Sequence, residues 1–374
     1  MRIVFTGGGT GGHFYPLIAV AEALRDIVLR EKVVQASFWY FSDTKVDPGL
    51  LAENEMEFVQ IPAGKLRMSP SIKNITDMVK TLRGFFVALR QLYKIYPDVV
   101  FAKGGYASFP TLLAARVLRI PVMIHESDVI PGRVTMWAGK FATRIATSFP
   151  EASLMFKKEK TACLGLPMRK SILLEAGPLP AVVPVDSTKP IILVVGGSQG
   201  SETINTAVME ALTDLLASYT VVHQTGEKNL DLIVQQLPVL VPDQALRTRY
   251  VPLPYIAGPN LKAIGSRSKV VISRAGSMIF EIASWGVPSI LIPISHSHGD
   301  HQRKNAFAAA RAGASEVIEE ANLTPHILAS EVRRITGDEA LMTKMKTASF
   351  AFARTDAALL IADEIFKLAL AHTE

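Results

Sequence analysis

The chain has 374 residues, 49% of them apolar and 20% charged, with a mean hydropathy of +0.25. That balance excludes a disordered chain. The 25 glycines lack a period of three and Cys163 is the single cysteine, which excludes collagen-like and disulfide-framed classes. The net charge of +6 is uneven: residues 1–170 carry 23 Lys and Arg against 14 Asp and Glu, the remainder 17 against 20. The first half is therefore expected to meet something anionic: nucleic acid, anionic lipid or a phosphorylated substrate.

The length suits two domains. Met1–Phe5 runs straight into Gly7-Gly8-Gly9, leaving no room for a signal peptide, and no run of ~18 apolar residues occurs to span a bilayer. A soluble cytosolic protein, or one resting on a membrane surface, is expected. Cys163, inside Ala162-Cys163-Leu164, reads as a small buried hydrophobe.

In chain order, Ile3–Thr6 reads as a strand, Gly7–Gly12 as a glycine turn, and Pro16–Leu24 as a helix. Ser37–Phe41 is a second strand. From Ile72 to Leu89 apolar residues recur at helical spacing, edged by Lys73, Lys80, Arg83 and Arg90. Most of this stripe is expected to pack on a sheet, with Gly84 interrupting the helix and leaving part exposed. Strands Asp98–Ala102 and Val122–His125 follow. The proline-rich run Gly177–Pro184 reads as a domain boundary. Beyond it, Ile191–Val195 enters Gly196–Gly200 and then a helix, repeating the opening pattern of the chain. Val270–Ser273 and Ser289–Ile292 are further strands, and Ala351–Leu370 is a helix expected to return to the first domain. The fold class is α/β: two Rossmann-like, doubly wound parallel-sheet domains facing each other across a cleft, spanning 1–170 and 171–350, with 351–374 packing back on the first.

Glycine turns at strand ends let a backbone approach a diphosphate closely. Three occur, at Gly7–Gly12, at Lys103-Gly104-Gly105-Tyr106 and at Gly196–Gly200, which suits a ligand with several phosphates. Gly7, Gly9 and Gly12 match G-x-G-x-x-G, but His13 stands where the helix begins and no lysine follows, which excludes the Walker pattern. His13 is a candidate general base, against the alternative that it merely packs at the turn. Glu281, opening a helix after Ser273-Arg274-Ala275-Gly276, either accepts two ribose hydroxyls or simply stabilises its helix. Ser295–Gln302 resembles a metal cluster, but consecutive loop residues seldom converge on one ion, and sugar hydroxyls are the better reading. No Asp-x-Asp pattern is present, and neither metal nor cofactor is expected.

Several stretches, taken together, resemble the MurG family, which adds N-acetylglucosamine to lipid I to make lipid II. They are Gly8-Gly9-Thr10-Gly11-Gly12-His13, Gly104-Gly105-Tyr106, His125-Glu126, Gly165-Leu166-Pro167-Met168-Arg169, Gly196-Gly197-Ser198-Gln199-Gly200, Ser273-Arg274-Ala275-Gly276 and His301–Ala306. The resemblance implies a GT-B fold and an inverting, metal-independent transferase, with the lipid acceptor on the N-terminal domain and the UDP-sugar mainly on the C-terminal one. By motif position Thr10, Gly11 and Gly12 would lie beside the sugar-diphosphate and His13 would be the base. Tyr106, Glu126 and Asp128 would line the same region. Arg169, Ser198, Gln199 and Gly200 would hold the nucleotide and its phosphates, Ile256 would flank uracil and Glu281 would take the ribose. Arg274, Gly276, Ser277 and Met278 would form the neighbouring loop, with His301, Gln302 and Asn305 near the sugar hydroxyls.

Ile75, Val79, Leu82, Phe85 and Phe86, with Lys140, would correspond to a patch resting on an anionic membrane, at the cytoplasmic face. Cell-wall synthesis proteins are further partners it implies; nucleic acid is not. Two departures stand out. The family's His-Glu-Gln-Asn reads His125-Glu126-Ser127-Asp128, where an ionised Asp128 accepts hydrogen bonds but cannot donate. The stretch from Arg274 to Glu281 is also one residue shorter than the family loop. The competing readings are another GT-B UDP-sugar transferase or a UDP-N-acetylglucosamine epimerase, a dinucleotide oxidoreductase, and a non-catalytic membrane-bound UDP-sugar sensor.

Overall fold

The structure, a computed structural model, describes residues 1–8, 11–65, 72–184, 189–197, 199–295 and 298–373. The chain forms two compact units: Met1–Lys170 together with the stretch from Thr355, and Ser171–Arg354.

The first unit is built on seven parallel strands: β1 (Arg2–Thr6), β2 (Ser37–Ser42), β3 (Met56–Gln60), β4 (Val99–Ala102), β5 (Val122–Glu126), β6 (Arg144–Thr147) and β7 (Thr161–Cys163). They lie in the order β3-β2-β1-β4-β5-β6-β7. The chain runs outward from β1 in one direction and then resumes from β4 in the other, so the order reverses between β1 and β4. Thr6 pairs with Ala102 there, which brings the loops after β1 and β4 side by side, the usual ligand position of such sheets. The strands are apolar without alternation because both faces are covered. Ile3 and Phe5 point into a core with the helix Gly11–Arg30, while Val4, Val100 and Ala102 point into another with Ala88, Leu92 and Leu112.

The second unit repeats the plan with six parallel strands: β8 (Ile191–Val195), β9 (Thr220–Gln224), β10 (Tyr250–Leu253), β11 (Ser268–Ser273), β12 (Ser289–Leu291) and β13 (Ser315–Val317), in the order β10-β9-β8-β11-β12-β13. Val195 pairs with both Gln224 and Ser273, setting the loop after β8 between its neighbours.

Four expectations change. The chain passes between units at Lys170–Ser171, so the proline-rich run belongs wholly to the second unit, where Val183 packs in the core with Ile191 and Leu193. The last helix does not start at Ala351. Ala353 ends one helix, Arg354 turns left-handed at φ 45°, and a new helix runs Ala357–Thr373. This final helix packs Ala358, Ile361 and Ile365 into the core around Gly11–Arg30. Gly84 does not interrupt the helix Ile72–Ile95; a Cβ there would stand 1.8 Å from the Pro62 carbonyl, so the glycine lets the helix approach that backbone. Cys163 is half-buried on the edge strand β7 rather than enclosed. No helix among the described residues is long and apolar enough to cross a membrane.

Candidate functional site

In the first unit, the glycine turns after β1 and β4 meet at the point where the strand order reverses. A Cβ on Gly8 would fall 2.2 Å from Ser42 Oγ, so a side chain there would displace its neighbours. Gly104 and Gly105 adopt φ 77° and 78°, a region that favours glycine. Gly105 faces the His13 ring, with a Cβ position 3.4 Å from Nε2. His13 lies in the first turn of Gly11–Arg30, beside Gly11 and Gly12. Burial and the Lys103 charge lower its pKa to about 4, opposed by Asp128, so the imidazole is neutral near pH 7 and able to take a proton.

Lys103 is buried, and its Nζ has no hydrogen-bond partner among the described residues. Burial lowers its pKa to about 8, while Glu126 and Asp128 favour the ammonium. Glu126 is bound by amides of its own loop. Its carboxylate accepts from the backbone amides of Ser127 (2.8 Å), Asp128 (3.0 Å) and Gly132 (3.0 Å). It therefore shapes the loop that carries Asp128. His125 is fully buried, with Nε2 2.9 Å from the Gly165 carbonyl, and burial drives its pKa well below the ordinary value. Tyr106 donates its hydroxyl to Asp43 at 2.6 Å, with the Lys65 ammonium 5.2 Å above its ring. Arg169 stacks over Tyr15 at 4.7 Å, and its Nε has no partner among the described residues. Thr10 lies outside the described residues.

In the second unit, the loop after β8 carries Gly197 at φ 101° and Gly200 at φ 75°, closed by the Gly200 amide donating to the Gly197 carbonyl at 3.0 Å. Ser198 lies outside the described residues, between Gly197 and Gln199. Gln224, at the end of β9, holds this loop: its Nε2 donates to Gly197 O (2.8 Å) and its Oε1 accepts from Ile256 N (2.9 Å). Ile256 is thereby fixed by its amide, with its side chain buried. Gly226, at φ 87°, lies against the same loop, where a Cβ would be 2.1 Å from Gln199 O. Beneath it, His223 bonds Asn205 Oδ1 (3.0 Å) and Tyr250 Oη (2.9 Å), and Asn205 Nδ2 donates to Thr225 O (2.9 Å). With Asn205 oriented this way, His223 donates from Nε2 and accepts at Nδ1. Burial lowers its pKa to about 3.

Arg274 is likewise held by protein groups. Its guanidinium donates to Ile292 O (2.9 Å) and Ser201 Oγ (2.6 Å) and pairs with Glu320 at 2.6 Å. It braces the loops after β8 and β12. Among the described residues no atom beyond its chain neighbours lies within 4 Å of a Cβ position on Gly276, and Ser277 leads into the helix Met278–Ser284, whose first turn holds half-buried Glu281. His301 opens the helix His301–Arg311; its Nδ1 is buried without a partner among the described residues. Gln302 accepts from Ile294 N at 3.3 Å, and buried Asn305 donates to Ala275 O at 3.3 Å. Sequence reasoning missed Gln224, the burial of Lys103 and the Asp43–Tyr106 bond. A polar residue ending an apolar run was the available signal for the first.

Most of the stripe on Ile72–Ile95 does not pack on the sheet. Ile75, Met78, Val79, Leu82 and Phe86 are each between 57% and 66% exposed, while Phe85 and Leu89 rest against the core. Lys80, Arg83 and Arg90 are exposed alongside them, as is Lys140 on its own loop.

Residues 3–147 match the glycosyltransferase family 28 N-terminal domain and residues 191–361 its C-terminal domain. The chain is 36% identical to the UDP-N-acetylglucosamine–N-acetylmuramyl-(pentapeptide) pyrophosphoryl-undecaprenol N-acetylglucosamine transferase of Treponema denticola, over 96% of each chain. It is 34% identical to the protein of that name from Halothermothrix orenii, over 93% of this chain and 94% of the other. The crystal structure of Acinetobacter baumannii MurG superposes with a TM-score of 0.75 at 25% identity, covering 98% and 99% of the two chains. A Neisseria meningitidis UDP-N-acetylglucosamine 2-epimerase, at 14% identity and a TM-score of 0.68 over 98% and 100%, shares the fold. With paired parallel-sheet units, glycine loops at both strand-order reversals and likeness along almost its whole length, the chain belongs to glycosyltransferase family 28 and, within it, to the MurG family with its GT-B fold.

Proposed function

We propose that the protein moves N-acetylglucosamine from UDP-N-acetylglucosamine to the 4-hydroxyl of the muramyl sugar of lipid I, giving lipid II for peptidoglycan synthesis. The observation that carries the chemistry is His13, an imidazole held neutral beside Gly105 in a chain with this family's full-length pattern. His13 takes the proton of the acceptor hydroxyl as that oxygen attacks the anomeric carbon. The bond from that carbon to the UDP oxygen breaks on the opposite side, inverting the centre, and UDP leaves with the electron pair. Amides of the Gly196–Gly200 loop and the Arg169 guanidinium offset the growing negative charge. Ile256 flanks the base and Glu281 takes the ribose hydroxyls, while Asp128 accepts from the sugar. Ser198 and Thr10 belong to the same contacts by motif.

The exposed apolar face from Ile75 to Phe86, edged by Lys80, Arg83 and Arg90, suits an anionic leaflet and supports a peripheral position on the cytoplasmic face of the membrane.

The test is incubation with UDP-N-acetylglucosamine and a lipid I analogue, following UDP and the disaccharide lipid. Free sugar released without acceptor would instead favour an epimerase. Positioned general bases contribute ~10²–10⁴-fold, so His13→Ala is expected to lower kcat by that range while the thermal shift produced by UDP is unchanged. Near-normal turnover would remove His13 from the mechanism.

A further inference from the structure

We propose that the second unit carries a separate anion-binding pocket, suited to a small ligand with a planar ring and one anionic phosphate or carboxylate group. The pocket measures about 300 Å³ and is lined by Arg267, Lys269 and Lys346 together with Trp285, Pro288 and Met342. This is at the small end of ligand cavities. No carboxylate is among its lining residues. None of its three cations is in an ion pair among the described residues; Arg267 donates only to the Ala263 carbonyl, at 2.9 Å.

Two helices, Gly258–Gly265 and Met278–Ser284, end at the pocket. Each helix end presents about half a negative charge, which three full cations exceed, so the pocket is net positive. Trp285 supplies the planar wall. One edge of its indole packs on Gly265, where a Cβ would be 2.3 Å from the ring. The N–H lies on the other edge and is buried without an acceptor among the described residues.

The pocket is distinct from the nucleotide loops. Ser268 begins β11 and Pro288 precedes β12, so it sits at the amino ends of these strands, whereas Arg274 follows the carboxyl end of β11. Six residues of strand separate the two ends, roughly 20 Å. A physical route also joins them: the Trp285 amide closes the helix that carries Glu281, donating to the Glu281 carbonyl at 3.2 Å.

The experiment is a titration of the full chain, ¹⁵N-labelled, with phenyl phosphate, reading the indole N–H resonances of Trp39, Trp137 and Trp285. Trp285→Phe assigns the third. The Trp285 signal alone is expected to shift saturably, to respond more weakly to inorganic phosphate or to phenol, and to keep shifting when UDP is present. The exposed-residue double variant Lys269→Glu/Lys346→Glu is expected to weaken phenyl phosphate at least ~tenfold while leaving the UDP-induced thermal shift unchanged. Absence of a Trp285 shift, a shift that survives the charge reversal, or displacement of phenyl phosphate by UDP would each overturn the proposal.

Discussion

Lys103 shows how one side chain sets the chemistry of another. Its ammonium is buried without a hydrogen-bond partner among the described residues, close enough to His13 for its charge to favour the neutral imidazole. Removing that charge raises the His13 pKa. Since a general base works in its neutral form, activity falls as pH drops through that pKa. In Lys103→Met the acid limb of the kcat/KM profile is therefore expected to move upward by on the order of half to one pH unit. Methionine matches the stem but withdraws the charge that favours the buried Glu126 carboxylate, so folding of the variant is checked by its thermal midpoint. An unmoved limb with normal folding would show that Lys103 does not tune His13. His13 itself was legible in the sequence, because a histidine closing a glycine turn is a local pattern. The ammonium's isolation was not, because a lysine after a strand reads as solvated until its neighbours are known. The internal partners of Glu126 and Arg274, backbone amides and Glu320, were hidden for the same reason.

Elements turn such residues into surfaces and loops. The helix Ile72–Ile95 was legible from its 3.6-residue spacing, but the face it buries was not. Gly84 brings the helix against Pro62, while Leu82 and Phe86 stand 57% and 58% exposed. Leu82→Asp/Phe86→Asp is expected to weaken binding to anionic vesicles at least ~tenfold while changing stability by less than about 1 kcal/mol, because exposed substitutions remove little packing. Unchanged vesicle binding would remove the membrane role of this face. The loop after β8 gives the opposite case, a tightly fitted element. Gly226 combines φ 87° with a Cβ position 2.1 Å from the Gln199 carbonyl. Gly226→Ala is expected to cost ~1–3 kcal/mol and to push the loop aside, lowering UDP affinity about tenfold in calorimetry. Native affinity and native stability together would contradict the fit described.

Across the whole molecule, burial holds His13, His125 and His223 neutral, with pKa values of about 4, well below the ordinary value, and about 3. In each case the unfolded chain binds a proton at higher pH than the folded one does. Stability is thus unaffected above the unfolded value of ~6.5 and declines as pH falls below it. For His223, fully enclosed, the loss at pH 5 is on the order of 2 kcal/mol. The urea midpoint is expected to fall between pH 7 and pH 5 with an unchanged slope, and to fall less in His223→Phe; equal midpoints in the parent chain would contradict these burials. By itself the sequence determined the repeated strand, glycine turn and helix, the α/β class and the two families of loops, because apolar runs and glycine backbones act over a few residues. Only the tertiary structure decided that the final helix starts at Ala357, that Gln224 holds the loop after β8, and which charges are spent on internal partners. Burial and pairing depend on partners far away along the chain, and no local pattern names them.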